Sequence, residues 1–434
     1  MADRARVGAL ILVVFTVGPA VPGAAQVADP MPLADALAVA RRESPDLAES
    51  RSALVTAAAN RLQSAGALLP SVDASTSWST AHSRSFTATD VFGDPTAREV
   101  AVESTTRGVS QSVALGVTLF DGGDSWSALK AASARRDAAW ASSERAWTEV
   151  RARVATAYFA VMEAREALAL ELTLFEARRA DVERTEGLFR VAAADQIDLL
   201  GARIELGRSM GVGGSVEEPL VAPLEPFDPD SLDLDALVSS ALDRHPDLAR
   251  GEANLRAAEA EADAQGWLAY LPSVRGSAGW GRSEFGGAEQ DFFHLDPRNS
   301  SWDVRLSLSL PLFDRFARQA DRSRTAAAME AAEEGLRAAR LDVEAEVRRR
   351  FLDLRNAWRQ LELQRTTVEM ARERAERARE RHRIGAIDFV RLQEVLDQAT
   401  VAERARVLRH YGWYRALVEL ERAAGRAVAL PDVP

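Results

Sequence analysis

The chain has 434 residues, with 65 acidic and 54 basic side chains, a formal net charge of −11 and no cysteine. The acidic balance argues against a nucleic-acid-binding protein. The lack of cysteine excludes disulfides and thiolate metal ligands.

The N-terminal residues differ in composition from the rest of the chain. Arg4 and Arg6 precede an apolar run at residues 7–17, and small residues follow at 23–25. This order predicts a secretory signal peptide at residues 1–25, because the apolar run is too short to span a bilayer. A buried N-terminal helix is the alternative interpretation.

The remaining chain contains the same landmarks twice, in the same order. The sequence LPSV at 69–72 returns at 271–274, and LFD at 119–121 returns at 312–314. A period of roughly 200 residues is too long for a solenoid unit and predicts two domain-sized repeats. The predicted divisions are a first repeat at 26–211, a linker at 212–233, a second repeat at 234–425 and a tail at 426–434.

Each repeat is predicted to open with two helices. Pro45 follows a serine, which is a favourable start for the second helix, and Pro70 ends it. We therefore expect the chain to change from helix to strand at Pro70 and, in the second repeat, at Pro272. The predicted buried face of the first helix consists of residues at helical spacing, namely Leu33, Ala36, Leu37 and Ala40.

Two strands are predicted after the proline of each repeat, because apolar and polar residues alternate there. The predicted strands cover residues 71–82, 108–120, 273–283 and 301–313. The alternation is clearest in the last strand, where the apolar residues are Trp302, Val304, Leu306, Leu308, Leu310 and Leu312. Strands of about 9–11 residues suit a membrane barrel. A soluble sheet packed on a core fits the alternation equally well.

The strands are expected to lead back to helix at Asp121 and Asp314. The sequence DGGD at 121–124 predicts a turn and a helix cap rather than a calcium loop. Long helices follow at 124–190 and 315–384, each spanning roughly 100 Å. Apolar residues recur there at every seventh position, which predicts coiled-coil packing. They are Trp140, Trp147, Val154, Val161, Leu168, Phe175, Val182 and Phe189 in the first repeat, and Val347, Leu354, Leu361, Val368 and Ala375 in the second.

Each long helix is expected to end in a turn that precedes a return helix, at 195–211 and 388–425. Gly385 marks a helix end, and Asp388 is predicted to cap the next helix. Asp195 lies 16 residues before Gly211, whereas 37 residues separate the corresponding pair in the second repeat. The first return helix is therefore expected to lack 21 residues. Either a tolerated shortening or a defective assembly would follow.

The charged residues before the second turn have two interpretations. One is a solvated helix face with ion pairs such as Glu373–Arg377, and the other is a docking site for a partner. The five histidines have no metal-ligand spacing, and no nucleophile or phosphate-loop motif is present. The sequence therefore predicts a protein that is not an enzyme and binds no cofactor.

The order of helices, strand pair, long helix, turn and return helix, repeated with LPSV, LFD and the RIGAIDFV turn at 383–390, resembles the TolC family of outer-membrane factors. The resemblance implies a mainly α fold with a β-barrel part. Four strands from each chain of a homotrimer would close a barrel in the outer membrane, and the long coiled-coil helices would form a periplasmic tube.

The resemblance also implies a function and partners. The chain would be the exit duct of a tripartite efflux or type I secretion system, joined to an inner-membrane pump through a periplasmic adaptor. Charges at the tip would line an aperture, with Asp195, Asp198, Asp388, Arg391 and Glu394 as candidates; Arg391 departs from the acidic residue that the family often has there. The alternative is a soluble periplasmic coiled-coil scaffold or adaptor. The sequence does not identify the transported substrate.

Overall fold

The computed structural model of the chain describes residues 30–88, 99–179, 186–216, 218–287 and 299–431. The predicted signal peptide lies outside the described residues. Within these ranges the chain forms eight α-helices and six β-strands, which confirms the mainly helical fold with a smaller sheet. No helix in the described ranges is both long enough and apolar enough to cross a membrane.

The elements follow the duplicated order that the sequence predicts. The first repeat contains β1 (Met31–Pro32), α1 (Leu33–Glu43), α2 (Pro45–Gly66), β2 (Ser71–Ala88), β3 (Glu99–Phe120), α3 (Asp124–Arg179) and α4 (Glu186–Met210). After the linker strand β4 (Leu220–Val221), the second repeat contains α5 (Leu234–Arg244), α6 (Pro246–Ala264), β5 (Ser273–Gly286), β6 (Ser300–Ser309), α7 (Ala317–Arg383) and α8 (Phe389–Ala424).

Five strand bounds differ from the predicted ones, and two of these differences are small: β5 ends at Gly286 and β6 begins at Ser300. β2 continues to Ala88 and β3 begins at Glu99, because their serine- and threonine-rich ends continue the ladder without apolar alternation. β6 ends at Ser309 rather than at residue 313. Pro311 explains this difference, since proline has no backbone N–H to donate to a ladder.

The helical hairpin of the first repeat is shorter than its counterpart on both sides of its turn. α3 has 56 residues against 67 in α7, and α4 has 25 against 36 in α8. The predicted shortening of the return helix alone is therefore wrong. Within the described residues the two helices share the loss, roughly 16 Å each at 1.5 Å per residue. Equal shortening keeps the two helices side by side along their full length.

The predicted apolar stripes form the helical core. In α7 the five residues at seven-residue spacing are at most 3% exposed, namely Val347, Leu354, Leu361, Val368 and Ala375. The predicted face of α1 is buried as well, which confirms both assignments. The stripe of α3 is buried at Val154 and Val161, whereas Trp140 is 52% exposed.

A parallel pair of short strands joins the start of the described chain to the linker. Met31 pairs with Leu220 in this small sheet. The hydroxyl of Tyr158 on α3 lies 2.9 Å from the Met31 carbonyl oxygen and 2.7 Å from that of Val221, and it accepts the Val221 N–H at 2.9 Å. The linker is thereby fixed to the long helix of the first repeat.

Candidate functional site: the two sheet faces and the helix tip

The larger sheet combines strands of both repeats in the antiparallel order β2-β3-β5-β6. Residues that pair directly lie on the same face, and successive residues alternate between faces. One row of the sheet contains Ala74, Val113, Trp280 and Trp302, and a neighbouring row contains Val72, Leu115, Ala278 and Val304. We call the face with these two rows the apolar face.

The apolar face is not covered by any other element in the part of the chain that the structure describes. On β6, Trp302, Val304, Leu306 and Leu308 are each at least 70% exposed. An apolar surface of this kind indicates contact with a membrane or another protein. The strands β2 and β6 at the two edges each pair on one side only within the described sheet.

The apolar face has a limited height. The ten residue steps from Val109 to Leu119 on β3 correspond to roughly 33 Å along the strand, or about 25 Å of height at a tilt of about 40°. Beyond it, nearer the 88–99 connection, the same face becomes polar. There Arg84 lies 3.4 Å from Glu103. Within the apolar span itself, Gln111 is a polar residue between Val109 and Val113, and its side-chain oxygen accepts from the Arg282 guanidinium at 2.7 and 2.9 Å.

The opposite face, which we call the polar face, is composed mainly of small residues. Facing serines are hydrogen-bonded across β2 and β3, at 2.8 Å both for Ser75 with Ser112 and for Ser77 with Ser110. The remaining residues of this face are mostly serine and glycine. Its charged members are Asp73, Arg275, Asp303 and Arg305.

The predicted transition residues lie where helix and strand meet. Pro70 and Pro272 directly precede β2 and β5. The Asp121 carboxylate accepts the Gly123 N–H at 3.2 Å and the Ser125 N–H at 3.0 Å. The predicted turn and cap at DGGD are therefore confirmed.

The second junction uses a residue that the sequence analysis missed. The Asp314 carboxylate lies 2.8 Å from Nε of Arg318. The same guanidinium donates to the Pro311 carbonyl oxygen at 2.6 Å and lies 5.3 Å from the centre of the Tyr270 ring. Arg318 thus connects the end of the strand, the start of α7 and the turn before β5. Its position four residues after Asp314, like Ser125 after Asp121, is the signal that could have identified it.

At the tip of the second repeat, the predicted caps are confirmed. Gly385 has φ +73°, and the N–H of Ala386 donates to the Arg381 carbonyl oxygen at 2.8 Å, which ends α7. The Asp388 carboxylate accepts the Arg391 N–H at 2.8 Å and so caps α8. Arg391 is also paired with Glu394 at 2.5 Å, and both side chains are exposed. The predicted pair Glu373–Arg377 forms as well.

The tip of the first repeat is not where the sequence predicts it. α4 begins at Glu186, so Asp195 and Asp198 lie inside this helix and not at its start. The expected correspondence of Asp195 with Asp388 is therefore wrong. The side chains of Asp195 and Asp198 lie outside what the structure describes.

The two repeats meet along α3 and α8 through ion pairs that sequence reasoning did not detect. Arg406 reaches Glu166 at 2.8 Å. The other pairs along this contact are Arg151 with Glu421, Glu163 with Arg415, and Glu171 with Arg404. Glu421 is 4% exposed, and its second oxygen accepts the N–H groups of Val428, Ala429 and Leu430 at 2.7–2.8 Å. The C-terminal residues are thereby held against α8.

Burial changes the protonation of two histidines in the helical part. It lowers the pKa of His245 and of His410. Neither belongs to a metal centre, since the described residues contain no group of three possible ligands.

The family comparison matches both repeats. The family model for outer membrane efflux proteins matches residues 36–210 and 237–426. Protein CyaE of Bordetella pertussis is 29% identical over 268 residues, which are 57% of this chain and 56% of that protein. The chain thus aligns with only a little over half the length of this curated relative.

Solved structures share the fold at low identity. The CmeC outer membrane channel of Campylobacter jejuni has a TM-score of 0.71 at 16% identity, covering 91% of this chain and 85% of that one. The open-state MtrE outer membrane channel of Neisseria gonorrhoeae has a TM-score of 0.64 at 20% identity, covering 92% and 90%.

The family is one of channel and transport proteins, and its model covers both helical hairpins and all four strands of the larger sheet in full. The chain therefore belongs to the outer membrane efflux protein family, as an outer-membrane protein.

Proposed function

We propose that the chain is the outer-membrane exit duct of an efflux or type I secretion system and conducts substrates passively to the exterior. The observation that carries this proposal is the sheet with one exposed apolar face, about 25 Å high, and one polar face of small residues. Such a sheet can contact lipid on one side and an aqueous channel on the other.

Three chains would form one channel in this proposal. The edge strands β2 and β6 each have one side unpaired within the described sheet, and exposed edges favour pairing with another chain. Pairing of β6 with β2 of a neighbouring chain would close a barrel in the outer membrane. The apolar faces of its strands would contact lipid. The hairpins α3–α4 and α7–α8 would form the periplasmic wall.

The partners in this proposal are a periplasmic adaptor and an inner-membrane pump. The exposed pair Arg391–Glu394 would contribute a mixed-charge aperture when repeated threefold at the tip. Asp388 is less suited to that role because its carboxylate caps α8. Residues 1–25 would be removed on export, and the chain itself would carry out no chemical reaction.

The experiment is reconstitution of the purified full-length protein in planar bilayers, together with cell fractionation. We expect a detergent-requiring trimer from the outer membrane, a heat-dependent change in its electrophoretic mobility and a stable conductance. N-terminal sequencing should start near residue 26. A water-soluble monomer in the periplasmic fraction would contradict the proposal and favour the alternative of a soluble scaffold or adaptor.

A further inference from the structure

One large aromatic side chain, Phe285, lies on the polar face of the sheet. We propose that Phe285 forms a binding site for aromatic cations inside the channel, close to its outer end. This inference rests on the proposed function, since the polar face lines a channel only if the apolar face contacts lipid. It adds a contact residue for one chemical class of transported compound.

The register assigns Phe285 to the polar face. Phe285 pairs with Gly108 on β3, and Gly108 pairs with Ser79 on β2. Ser77, two residues before Ser79, is hydrogen-bonded to Ser110 on the same face. Phe285 therefore points away from the apolar face that carries the tryptophans.

Phe285 differs from everything around it on this face. Its side chain is 64% exposed. The other large apolar residues that the register assigns to this face in the described sheet are Val100 and Val102, which lie on β3 beyond its last pairing with β5. An exposed phenylalanine among serines has no core to fill. Its exposed ring is therefore available to a passing compound.

Gly108 provides the space that the ring occupies. A Cβ atom at position 108 would lie 2.2 Å from Cδ1 of Phe285 and 3.2 Å from Oγ of Ser79. The ring therefore lies against the backbone of β3 at Gly108. The Cδ1 and Cε1 atoms are the part of the ring nearest to Gly108, and most of the side chain remains exposed on the polar face.

The chemistry of such a ring selects its ligand. The face of an aromatic ring carries partial negative charge and attracts cations, and it also stacks with other rings. An aromatic cation combines both interactions, whereas an aliphatic cation of similar size lacks the stacking. In a trimer, three copies of Phe285 would lie at one level of the channel, so that any compound leaving it passes them.

The experiment measures block of the reconstituted channel by tetraphenylphosphonium added on the outer side, with tetrabutylammonium as the aliphatic comparison. In Phe285→Ser, we expect the half-blocking concentration of tetraphenylphosphonium to rise about three- to fivefold, as loss of a partly exposed cation–π contact predicts. Phe285→Tyr should keep the block by tetraphenylphosphonium. In Phe285→Ser, the half-blocking concentration of tetrabutylammonium should change less than that of tetraphenylphosphonium.

In Phe285→Leu, an apolar side chain without an aromatic ring lies over Gly108. This variant therefore tests the same loss of block if Phe285→Ser does not assemble. Ser283→Ala, two residues away on the same face, is the matched control and should block like the wild type. Equal block of the wild type and of Phe285→Ser or Phe285→Leu would overturn the inference while leaving the channel intact. Absence of any wild-type conductance would instead contradict the proposed channel, and the inference with it.

Discussion

His245 and Ser44 occupy equivalent positions, each directly before the proline that begins a helix. Nδ1 of His245 accepts the N–H of Asp247 at 3.2 Å, which requires the unprotonated nitrogen. Burial lowers the pKa of His245, and the positive charges of Arg145 and Arg422 act in the same direction, against the opposing effect of Asp247. The neutral imidazole is therefore the form that caps α6.

This arrangement predicts a pH dependence of stability. The unfolded chain takes up the His245 proton near its ordinary pKa of 6.5, whereas the folded chain takes it up only at lower pH. The folded state thus binds fewer protons in this window and loses stability as the pH falls below about 6.5. In His245→Asn, which keeps a capping side chain that does not titrate, this contribution should be absent.

The measurement is the free energy of unfolding of wild type and His245→Asn in detergent, by urea titration at about pH 7.5 and about pH 5. We expect the two proteins to agree within about 1 kcal/mol at the higher pH, the size of a typical cap. At the lower pH the wild type should lose more stability than the variant. Parallel pH profiles would contradict this assignment.

A residue's role could be predicted from the sequence only where its contacts lie close along the chain. The caps at Asp121 and Asp388 were predictable, because each carboxylate bonds backbone groups a few residues away. Tyr158 and Glu421 were not, because their partners lie in the linker, in the tail and on α3, far away in the sequence. No local pattern carries that information.

At the scale of elements, helix type and order could be predicted, but the position of the first tip could not. The seven-residue apolar period continues through a helical hairpin and does not show where the chain reverses. Matching the two repeats by sequence aligns Asp195 with Asp388, which caps α8. Asp195 instead lies inside α4, because that helix begins at Glu186. Removing residues from both α3 and α4 shortens the repeat as much as removing the same number from one helix. Only the structure distinguishes these two cases.

Gly385 and Gly211 each follow a helix, but replacing them with alanine is expected to reduce the free energy of unfolding by different amounts. Gly385 has φ +73° and open space around its missing Cβ, so Gly385→Ala should cost about 1–2 kcal/mol, the cost of the left-handed conformation alone. Gly211 has φ +81°, and its Cβ would lie 2.5 Å from the Glu43 carbonyl oxygen. Gly211→Ala should therefore add about 1–3 kcal/mol of overpacking.

Urea unfolding of both variants checks this order. Gly66→Ala is the control, because Gly66 lies in helix α2 with nothing near its missing Cβ. That variant should be neutral or more stable by up to about 1 kcal/mol. A smaller loss for Gly211→Ala than for Gly385→Ala would contradict the close packing of the first hairpin against the end of α1.

At the scale of the whole molecule, the two faces of β6 predict opposite responses to charge. Leu306 lies on the apolar face and is 70% exposed, and its neighbour Ser307 lies on the polar face. Leu306→Arg should destabilise the inserted protein by about 2–4 kcal/mol, the cost of arginine near the bilayer midplane. Ser307→Arg should be tolerated, because its face would contact water.

The measurement is the yield of folded protein from outer membranes, with the free energy of unfolding in lipid vesicles as a second readout. The two variants add the same side chain at adjacent positions, so each controls for the other. Equal losses for both would show that the apolar face is not the lipid-facing one.

The pairing of β1 with β4 determines when the start of the chain can take its final position during export. Met31 leaves the translocation machinery early, but its partner Leu220 follows only after both helices of the first hairpin. The Tyr158 hydroxyl likewise makes its contacts with the Val221 backbone only after residue 221 has been exported. Met31 therefore completes its contacts late, because they depend on residues from the middle of the chain.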